Sequence, residues 1–330
     1  MKAYVADRYG PPEILRLHQL PVPELGPEVV RIAVRATTVN RTDSATLAGH
    51  PWFARLMTGV IRPKYTVFGV DFAGTVEAIG PGVTRFKPGD RVFGLSPERF
   101  GAHADFLCMP EDGAIELIPE SIGFETAVVC EGAWYAWGSV GAMTPGQSAL
   151  IYGASGAIGS AAVQLAKGRG VKVTAVVGPQ HMALAQELGA DSIIDYTEQD
   201  FTALGETFDL VMDAVGKTSY FACKPLLKPG GVYRATDLGP WWSNIWLGTW
   251  SSISRSGRVS VPFPVDAPAF VAELRELLAA GKFRGVFDRI YPFEQIPEAY
   301  DYVASGQKTG IVAVTLDEDA TFRQVFTRPV

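Results

Sequence analysis

Residues 149–166, ALIYGASGAIGSAAVQLA, decide the fold of this chain. An apolar run leads into three glycines spaced three apart, and an apolar helical pattern follows them. A strand, a tight glycine turn and a helix in this order let the backbone approach a pyrophosphate, whose charge then lies at the helix N-terminus. The stretch therefore predicts a dinucleotide-binding turn, the alternative being a βα turn whose glycines serve packing alone. Its predicted contact residues are Gly153, Ala154, Ser155, Gly156, Ala157, Ile158 and Gly159.

Two competing motifs do not fit this turn. A nucleophile elbow requires G-x-S-x-G, but Gly153 and Ser155 are followed by Ala157. A P-loop requires Gly-Lys followed by Ser or Thr, and the turn has no lysine. The glycine spacing therefore favours a dinucleotide over a nucleophilic serine or a nucleoside triphosphate.

Outward from the turn, the pattern changes twice along the chain. Strands alternate with helices from about residue 122 to 260, including a predicted helix at 219–230, which indicates βαβ units and a parallel sheet. The first 120 residues show short alternating runs separated by Gly, Pro and Asp turns, as β-rich domains do. We therefore predict an α/β protein with a β-rich domain, 1–122 completed by 262–330, and an inserted doubly wound parallel-sheet domain, 123–261.

Composition narrows the function classes. A chain of 330 residues, 47% of them hydrophobic, suits about two domains. Its net charge of −6 argues against a nucleic-acid partner. The three cysteines, Cys108, Cys130 and Cys223, fit neither a disulfide framework nor a CxxC zinc site. Without a signal-like N-terminus or an apolar run long enough for a membrane span, we expect a cytoplasmic protein.

The strand after the glycine turn bears on the choice of nucleotide. A cofactor without a 2′-phosphate usually meets an Asp or Glu about 20 residues past the turn. Residues 160–186 contain no acid, and the strand ends in Gly178, Pro179, Gln180 and His181. Gln180 and His181 can donate to a phosphate, with Lys172 a more distant candidate. The sequence therefore favours NADPH over NADH.

A polar cluster, TTVNRTDSA (37–45), stands where a predicted strand ends and a loop is expected to begin. Enzymes often place chemistry at such points. From the residues alone, the cluster can hold a metal, act on a substrate, or tie down the loop. Asn40 and Asp43 are its candidate catalytic residues.

Seven ordered segments resemble the medium-chain dehydrogenase/reductase superfamily, in its zinc-independent, quinone-oxidoreductase-like branch. The resemblance covers nearly the whole chain. It implies a GroES-like substrate domain, an inserted Rossmann-type domain and a homodimer paired through the Rossmann sheets. The segments are VNRTDSATLAG (39–49), RPKYTVFGVDFAGTVEAIGPGVTRFKPGDRVFG (62–94), GASGAIGSAAVQLAK (153–167), LGADSIIDY (188–196), DAVG (213–216), KPGG (228–231) and QKTGIVAV (307–314).

The resemblance also implies that the chain holds no zinc. Zinc-dependent members carry Cys where this chain has Asn40 and a His-Glu pair where it has Val70 and Asp71, so only Cys130 matches a ligand. A catalytic zinc ion needs about three protein ligands. In the metal-free branch the residue matching Asn40 lines the nicotinamide pocket, whereas Asp43 is better explained as a loop anchor than as an acid or base.

Further contacts follow from the resemblance and from the strand ends, where dinucleotide folds form their crevice. Tyr196 is expected near the adenosine, and Val215, Leu238 and Gly239 near the nicotinamide. The candidate substrate-pocket residues are Cys130, Trp134, Trp241 and Trp242. The tryptophan-rich stretch 240–253 can alternatively form a dimer seam or core beneath a loop, or a patch that touches a membrane surface.

The leading functional hypothesis is a zinc-independent, NADPH-dependent reductase of quinones or α,β-unsaturated carbonyls, acting on a small apolar substrate. One alternative is a non-catalytic NADPH-binding sensor or structural protein. Another is an alcohol or aldehyde dehydrogenase with an unrecognised metal site.

Overall fold

A computed structural model of the chain describes residues 1–239, 242–253, 258–260, 266–316 and 323–324. The chain divides into two compact units. The first unit comprises Met1–Glu131 and Asp266–Val330, and the second comprises Gly132–Val265. The predicted functional domains, with boundaries near residues 122 and 262, stay a prediction.

The described residues form the following elements. The strands are β1 Lys2–Val5, β2 Arg16–Gln19, β3 Val29–Val39, β4 Asp71–Ile79, β5 Arg91–Leu95, β6 Phe106–Pro110, β7 Ile115–Leu117, β8 Ser148–Tyr152, β9 Lys172–Val177, β10 Ser192–Asp195, β11 Phe208–Asp213, β12 Leu227–Ala235, β13 Val259–Ser260, β14 Phe287–Pro292, β15 Ile311–Thr315 and β16 Arg323–Gln324. The helices are α1 Arg41–Ala48, α2 Arg55–Thr58, α3 Phe124–Ala127, α4 Cys130–Val140, α5 Ala157–Gly168, α6 Met182–Glu187, α7 Tyr220–Cys223, α8 Ser243–Ile253, α9 Ala267–Ala279 and α10 Ile296–Ala304.

The first unit is built on a large, mostly antiparallel sheet. Its strand order is β16-β14-β15-β3-β4-β5-β7, and β6 also pairs with β3. The long strand β3 alternates buried and half-buried residues before becoming fully buried towards Val39. One apolar core cluster joins β3 and α1 to α10, through Val39, Leu47 and Tyr300 among others. The end of β3 and the start of α1 are therefore held on a packed core.

The second unit contains a six-stranded parallel sheet in the order β10-β9-β8-β11-β12-β13. This order reverses direction next to β8, as in dinucleotide-binding folds, where ligands bind at the carboxyl ends of the strands beside the reversal. Strands β8, β9 and β11 are almost wholly buried, as expected when both faces of a sheet are covered. The predicted parallel sheet is confirmed.

Two local predictions were wrong. The polar cluster at 37–45 does not open into a loop, because Arg41–Ala48 form α1 directly after β3. The helix predicted at 219–230 ends much earlier: α7 stops at Cys223, a short 3₁₀ turn containing Pro225 follows, and β12 begins at Leu227. Proline lacks an amide hydrogen and ends α-helices, and pairing with β11 draws the rest of the segment into the sheet. None of the described helices is long and apolar enough to cross a membrane.

Candidate active site

The glycine turn of the second unit has little room for side chains. Gly153 adopts a left-handed conformation with φ 81°, which L-residues with a Cβ rarely take. A Cβ on Gly153 would lie 1.9 Å from Cγ2 of Val215, and one on Gly159 would lie 2.1 Å from the carbonyl oxygen of Gly153. The first and third glycines are therefore needed for packing within the turn.

The middle glycine has a different environment. Gly156 is the N-cap residue of α5 and has no side chain that could cap the helix. A Cβ on Gly156 would meet only the carbonyl oxygen of Gly153, at an ordinary 3.5 Å. The first amide hydrogens of α5 have no partner within the helix, and the helix dipole adds positive potential there. This end of α5 fits the pyrophosphate of a dinucleotide.

The loop after β11 is shaped by one buried carboxylate. Asp213 accepts hydrogen bonds from the backbone amides of Val215 (2.9 Å), Gly216 (2.8 Å) and Thr218 (3.0 Å). These bonds hold Val215 against Gly153, so a predicted nicotinamide contact lies beside the predicted pyrophosphate turn.

The loop after β12 is held in a similar way. Asp237 accepts from the amide of Gly239 at 3.0 Å, and the buried Asn244 donates to both the carbonyl and the carboxylate oxygens of Asp237 at 3.2 Å. Leu238 is half-buried, and Gly239 has a left-handed φ of 69°. The contact of Leu238 and Gly239 with a cofactor stays a prediction.

The predicted adenosine end is a contiguous group at the end of β9. A Cβ on Gly178 would lie 2.9 Å from Oε1 of Gln180 and 3.2 Å from the hydroxyl of Tyr196. Gln180 and Tyr196 are exposed, and His181 is half-buried on the same 3₁₀ turn as Gln180. Lys172 does not belong to this group: it begins β9, about 20 Å from Gly178 at the usual rise of a strand.

In the first unit, Asn40 starts α1 and forms a capping box with Asp43. Its Oδ1 accepts from the amide of Asp43 at 2.8 Å, and the Asp43 carboxylate accepts from the amide of Asn40 at 3.2 Å. Asn40 is 7% exposed, and its Nδ2 has no hydrogen-bond partner among the described residues. An unpaired buried donor is costly unless it serves a ligand. This amide is therefore a candidate ligand-binding donor of the first unit, as is the hydroxyl of Ser44 on α1, which also lacks a partner among the described residues.

Asp43 itself is fully buried and tied to the backbone. Besides the amide of Asn40, its carboxylate accepts from the amide of Gly69 at 3.2 Å. Burial raises the pKa of Asp43 well above its usual value, and the charge of Glu131 raises it further. These bonds make Asp43 part of the cap of α1 and tie it to the backbone at Gly69. A catalytic role for Asp43 stays a prediction.

Sequence reasoning missed Glu131 and Lys308, two further polar residues of the first unit. Thr42 donates to the buried Glu131 at 2.6 Å, and the amide of Glu131 donates to the buried Asp71 at 2.9 Å. Burial raises the pKa of Glu131. The hydrogen bond from Thr42 and the charge of Lys308 lower this pKa and offset part of the rise. Burial also lowers the pKa of Lys308, which donates to the carbonyl of Gly310 at 2.7 Å. The sequence signal that could have pointed to Glu131 was its position as a single acid within the apolar run VVCEGAW (128–134).

The residues at the zinc-ligand positions do not fit zinc. Val70 has no donor atom, and the only metal-binding atom of Asn40, its Oδ1, caps α1. Burial raises the pKa of the fully buried Cys130 well above its usual value, and the charge of Asp71 adds to this effect. In the described parts of the chain, no group of three or more His, Cys, Asp or Glu side chains is arranged to hold a metal.

The predicted substrate-pocket residues have different surroundings. Cys130 has no exposed surface, and Trp134 is half-buried on α4 with its ring 6.3 Å from that of Tyr135. Trp242 is partly exposed just before α8, and Trp241 lies outside the described residues. A pocket formed by these side chains stays a prediction.

Comparisons with known proteins agree with this geometry. Residues 26–135 match the family described as "Alcohol dehydrogenase GroES-like domain", and residues 188–314 match that described as "Zinc-binding dehydrogenase". The chain is 32% identical to the mouse (Mus musculus) protein "NAD(P)H oxidoreductase RTN4IP1, mitochondrial", over 96% of this chain and 89% of that protein. It is 30% identical to "Trans-enoyl reductase pgmF" of Aspergillus terreus, over 89% of this chain and 88% of that protein.

A solved structure extends the similarity to the whole fold. The quinone oxidoreductase from Coxiella burnetii is 25% identical and matches with a TM-score of 0.84, over 96% of this chain and 99% of that one. The predicted GroES-like and Rossmann-type folds are thereby confirmed. With the glycine turn and the strand order, these matches show that the chain is an oxidoreductase of the quinone oxidoreductase and enoyl reductase family, within the medium-chain dehydrogenase/reductase superfamily.

Proposed function

We propose that the chain is an NADPH-dependent reductase that delivers hydride to an α,β-unsaturated carbonyl compound or a quinone. The observation that carries the proposal is the buried Asn40 amide, whose Nδ2 is an unpaired donor. The glycine turn supports a dinucleotide, and two relatives are named trans-enoyl reductase and quinone oxidoreductase.

The chemistry requires a donor at one point. The dinucleotide, when bound, supplies a hydride to the electrophilic carbon of the substrate. Negative charge then grows on the substrate carbonyl oxygen, and a preorganised donor in a dry site stabilises that charge more than water does. Asn40 Nδ2 would be this donor, and solvent would supply the proton that completes the reduction. In the described residues near Asn40, the buried carboxylates of Asp43, Asp71 and Glu131 each accept a hydrogen bond from a backbone amide or a hydroxyl group.

The direct test is turnover. Purified protein is mixed with NADPH and a panel of enones, enoyl thioesters and quinones, and the loss of reduced-cofactor absorbance is followed. We expect oxidation that depends on the substrate. Tight NADPH binding without turnover on any substrate would instead favour a non-catalytic NADPH-binding protein. Stoichiometric zinc in the purified protein would favour an alcohol dehydrogenase.

Two variants of Asn40 separate its two bonding roles. Asn40→Ala removes both the helix cap and the free donor, whereas Asn40→Ser keeps a good cap and removes the amide donor. We expect kcat to fall about 100-fold in both variants, as when one oxyanion donor is lost. Only Asn40→Ala should also lose about 1 kcal/mol of unfolding free energy. Full activity in Asn40→Ser would remove Asn40 from the mechanism.

The preference for NADPH is tested at Gln180. Gln180→Glu places a carboxylate beside Gly178 and Tyr196, where we propose that the 2′-phosphate binds. This carboxylate would repel the 2′-phosphate of NADPH, so KM for NADPH should rise about tenfold or more. KM for NADH should change little, because NADH has no 2′-phosphate. Gln186→Glu, the same change at another exposed glutamine, on α6, is the matched control. Equal effects of the two variants, or equal effects on both nucleotides, would contradict this assignment.

Other parts of the proposal need their own measurements. The homodimer through the Rossmann-type sheets is tested by the mass of the protein in solution. The cytoplasmic location is tested by fractionation of the source cells, and the mitochondrial label of the mouse relative names the competing outcome.

A further inference from the structure

Five large apolar side chains are exposed within one short segment of the first unit. Trp52, Leu56, Met57, Val60 and Ile61 are each more than 60% exposed, and Met57 and Ile61 reach 86% and 85%. Scattered exposed apolar residues are normal, but a dense group marks an interaction surface. We name the segment 52–61 the apolar knob.

The apolar knob is held in place by its neighbours. The amide of Lys64 donates to the carbonyl of Thr58 at 2.6 Å and closes a tight loop whose tip is Val60 and Ile61. The Tyr9 hydroxyl donates to the carbonyl of Gly59 at 2.6 Å and bonds the Thr58 hydroxyl at 2.9 Å. The guanidinium of Arg55 stacks 4.5 Å from the Tyr9 ring. The exposed side chains are therefore displayed on a fixed backbone.

A basic concavity of about 470 Å³ adjoins the knob. Its polar lining residues are Arg8, Arg16, His18, Arg62 and Asp7. Arg62 directly follows the knob, and Arg8 directly precedes Tyr9, which bonds to the knob. The pairing of β1 with β2 places Arg16 opposite Val5. A β-bridge between Val5 and Val67 places the segment that follows Arg62 next to β1.

The charge of this concavity differs from that of the whole chain. The protein carries a net charge of −6, yet this concavity has three arginines against a single aspartate. Neither Arg8 nor Arg62 forms an ion pair with a described residue. Planar guanidinium groups that are not paired within the protein are well suited to phosphate oxygens.

We propose that the apolar knob and the adjoining arginine concavity form a docking surface for an anionic phospholipid bilayer. The exposed apolar side chains enter the boundary between headgroups and acyl chains, and the arginines contact headgroup phosphates. A free phosphate compound would give the knob no role. A second copy meeting this face through the same surface would set arginines against arginines, which disfavours that association.

The test is flotation of the full chain with vesicles, which requires no catalytic activity. Vesicles of phosphatidylcholine alone are compared with vesicles of phosphatidylcholine and phosphatidylglycerol. We expect binding to the anionic vesicles only, and weaker binding at high salt. Met57→Glu with Ile61→Glu should reduce the bound fraction on the order of tenfold, and so should Arg8→Gln with Arg62→Gln.

Matched controls change similar residues elsewhere. Trp246→Glu with Trp250→Glu alters two side chains of α8 that are 67% and 69% exposed, and Lys224→Gln with Lys282→Gln removes two exposed positive charges. Both controls should bind like the wild type, and unchanged thermal unfolding of every variant would exclude misfolding as a cause.

Three outcomes would overturn the proposal. The first is wild-type protein that does not float with anionic vesicles. The second is loss of flotation in the tryptophan variant but not in the knob variant, which would place the membrane contact on α8. The third is binding of inorganic phosphate that depends on Arg8 and Arg62 without vesicle binding, which would indicate a site for a soluble anion.

Discussion

His103 is a fully buried imidazole of the first unit with a partner at each ring nitrogen. Nε2 lies 2.9 Å from the carbonyl oxygen of Thr38, so it carries the proton, and Nδ1 lies 3.4 Å from the Tyr300 hydroxyl, from which it accepts. Burial lowers the pKa of His103 to about 4. The ring thus stays neutral in the folded protein at pH values where it would be charged in the unfolded chain.

This difference predicts a loss of stability in acid. The folded pKa lies below the unfolded value of about 6.5, so the contribution of His103 is complete above pH 6.5 and is lost as pH falls towards 4. Over that range the full effect is about 3 kcal/mol of unfolding free energy. Denaturant unfolding is measured from pH 7.5 to 4 for the wild type and for His103→Gln, which keeps a donor but does not titrate.

The comparison with His103→Gln is needed because Asp43 and Asp71 act in the opposite sense. Burial raises the pKa of both carboxyls, so their protonation in acid stabilises the folded state. Their effect is present in wild type and variant alike. We expect the stability advantage of the wild type to shrink as pH falls, whereas parallel curves would refute the role of His103.

At the scale of single residues, the sequence located Asn40 but not its bonding. A resemblance can place an asparagine where relatives have a metal ligand, but it cannot show that Oδ1 is used by a helix cap and Nδ2 is free. Glu131 and Lys308 were missed for the same reason: burial of a charge depends on tertiary packing. The glycines were easier to interpret, because their spacing follows from backbone geometry alone.

At the scale of elements, helices α1 and α5, which both begin at candidate site residues, start in opposite ways. The N-terminus of α1 is capped by the reciprocal hydrogen bonds of Asn40 and Asp43. The N-terminus of α5 has a glycine at the N-cap position and no side-chain cap. In the first helix, the amide of Asp43 is bonded internally by the cap. The second leaves its N-terminal amides available for an anion.

A methyl group at the start of α5 tests this difference. Gly156 has φ −76°, and a Cβ there has no contact closer than 3.5 Å, so Gly156→Ala should cost less than about 1 kcal/mol of stability. The methyl would nevertheless hinder the pyrophosphate, and the dissociation constant for NADPH should rise on the order of tenfold, as for one lost charge-assisted bond. Titration by fluorescence or calorimetry measures it.

Gly168→Ala supplies the control in the same helix. A Cβ at Gly168 has nothing within 4 Å, so the change should leave NADPH affinity unaltered and slightly raise stability. If both variants bind NADPH like the wild type, the dinucleotide does not approach this end of α5.

Two elements show where sequence patterns were insufficient. The alternation in β3 and the apolar runs of β8 and β9 identified strands, because their burial repeats along the chain. The apolar pattern does not indicate helix α1, although Asn40 and Asp43 have the spacing of a capping box. For the start of β12 the local pattern predicts helix, because the pairing of β12 with β11 is a long-range contact that no local pattern contains.

At the scale of the whole molecule, the two units differ in chain connectivity. The second unit is one continuous segment, whereas the first joins two segments that are far apart in sequence. Strand β15, from the second of those segments, lies between β14 and β3 and pairs Val312 with Val39. An inserted α/β segment was predictable from the change in pattern, but the pairing of β15 with β3 was not.

This connectivity predicts how fragments behave. A fragment of residues 130–265 contains the complete six-stranded sheet and its core, so it should fold and bind NADPH weakly. A fragment of residues 1–131 lacks β14, β15 and α10, including the buried Tyr300 and Val312, so it should not fold cooperatively. Circular dichroism and thermal unfolding distinguish the two. Cooperative unfolding of the 1–131 fragment would contradict the prediction, and adding residues 266–316 should restore it.

The cap at Asn40 has a consequence for what the protein can recognise. An amide side chain can usually rotate by half a turn and exchange its oxygen for its nitrogen, so that it accepts ligands of either polarity. Here the amide of Asp43 needs an acceptor, and rotation would set two donors against each other. The first turn of α1 therefore fixes a one-way preference: a group that meets Asn40 must offer a lone pair. A ketone, a quinone or a thioester carbonyl satisfies that requirement, and an ammonium group cannot.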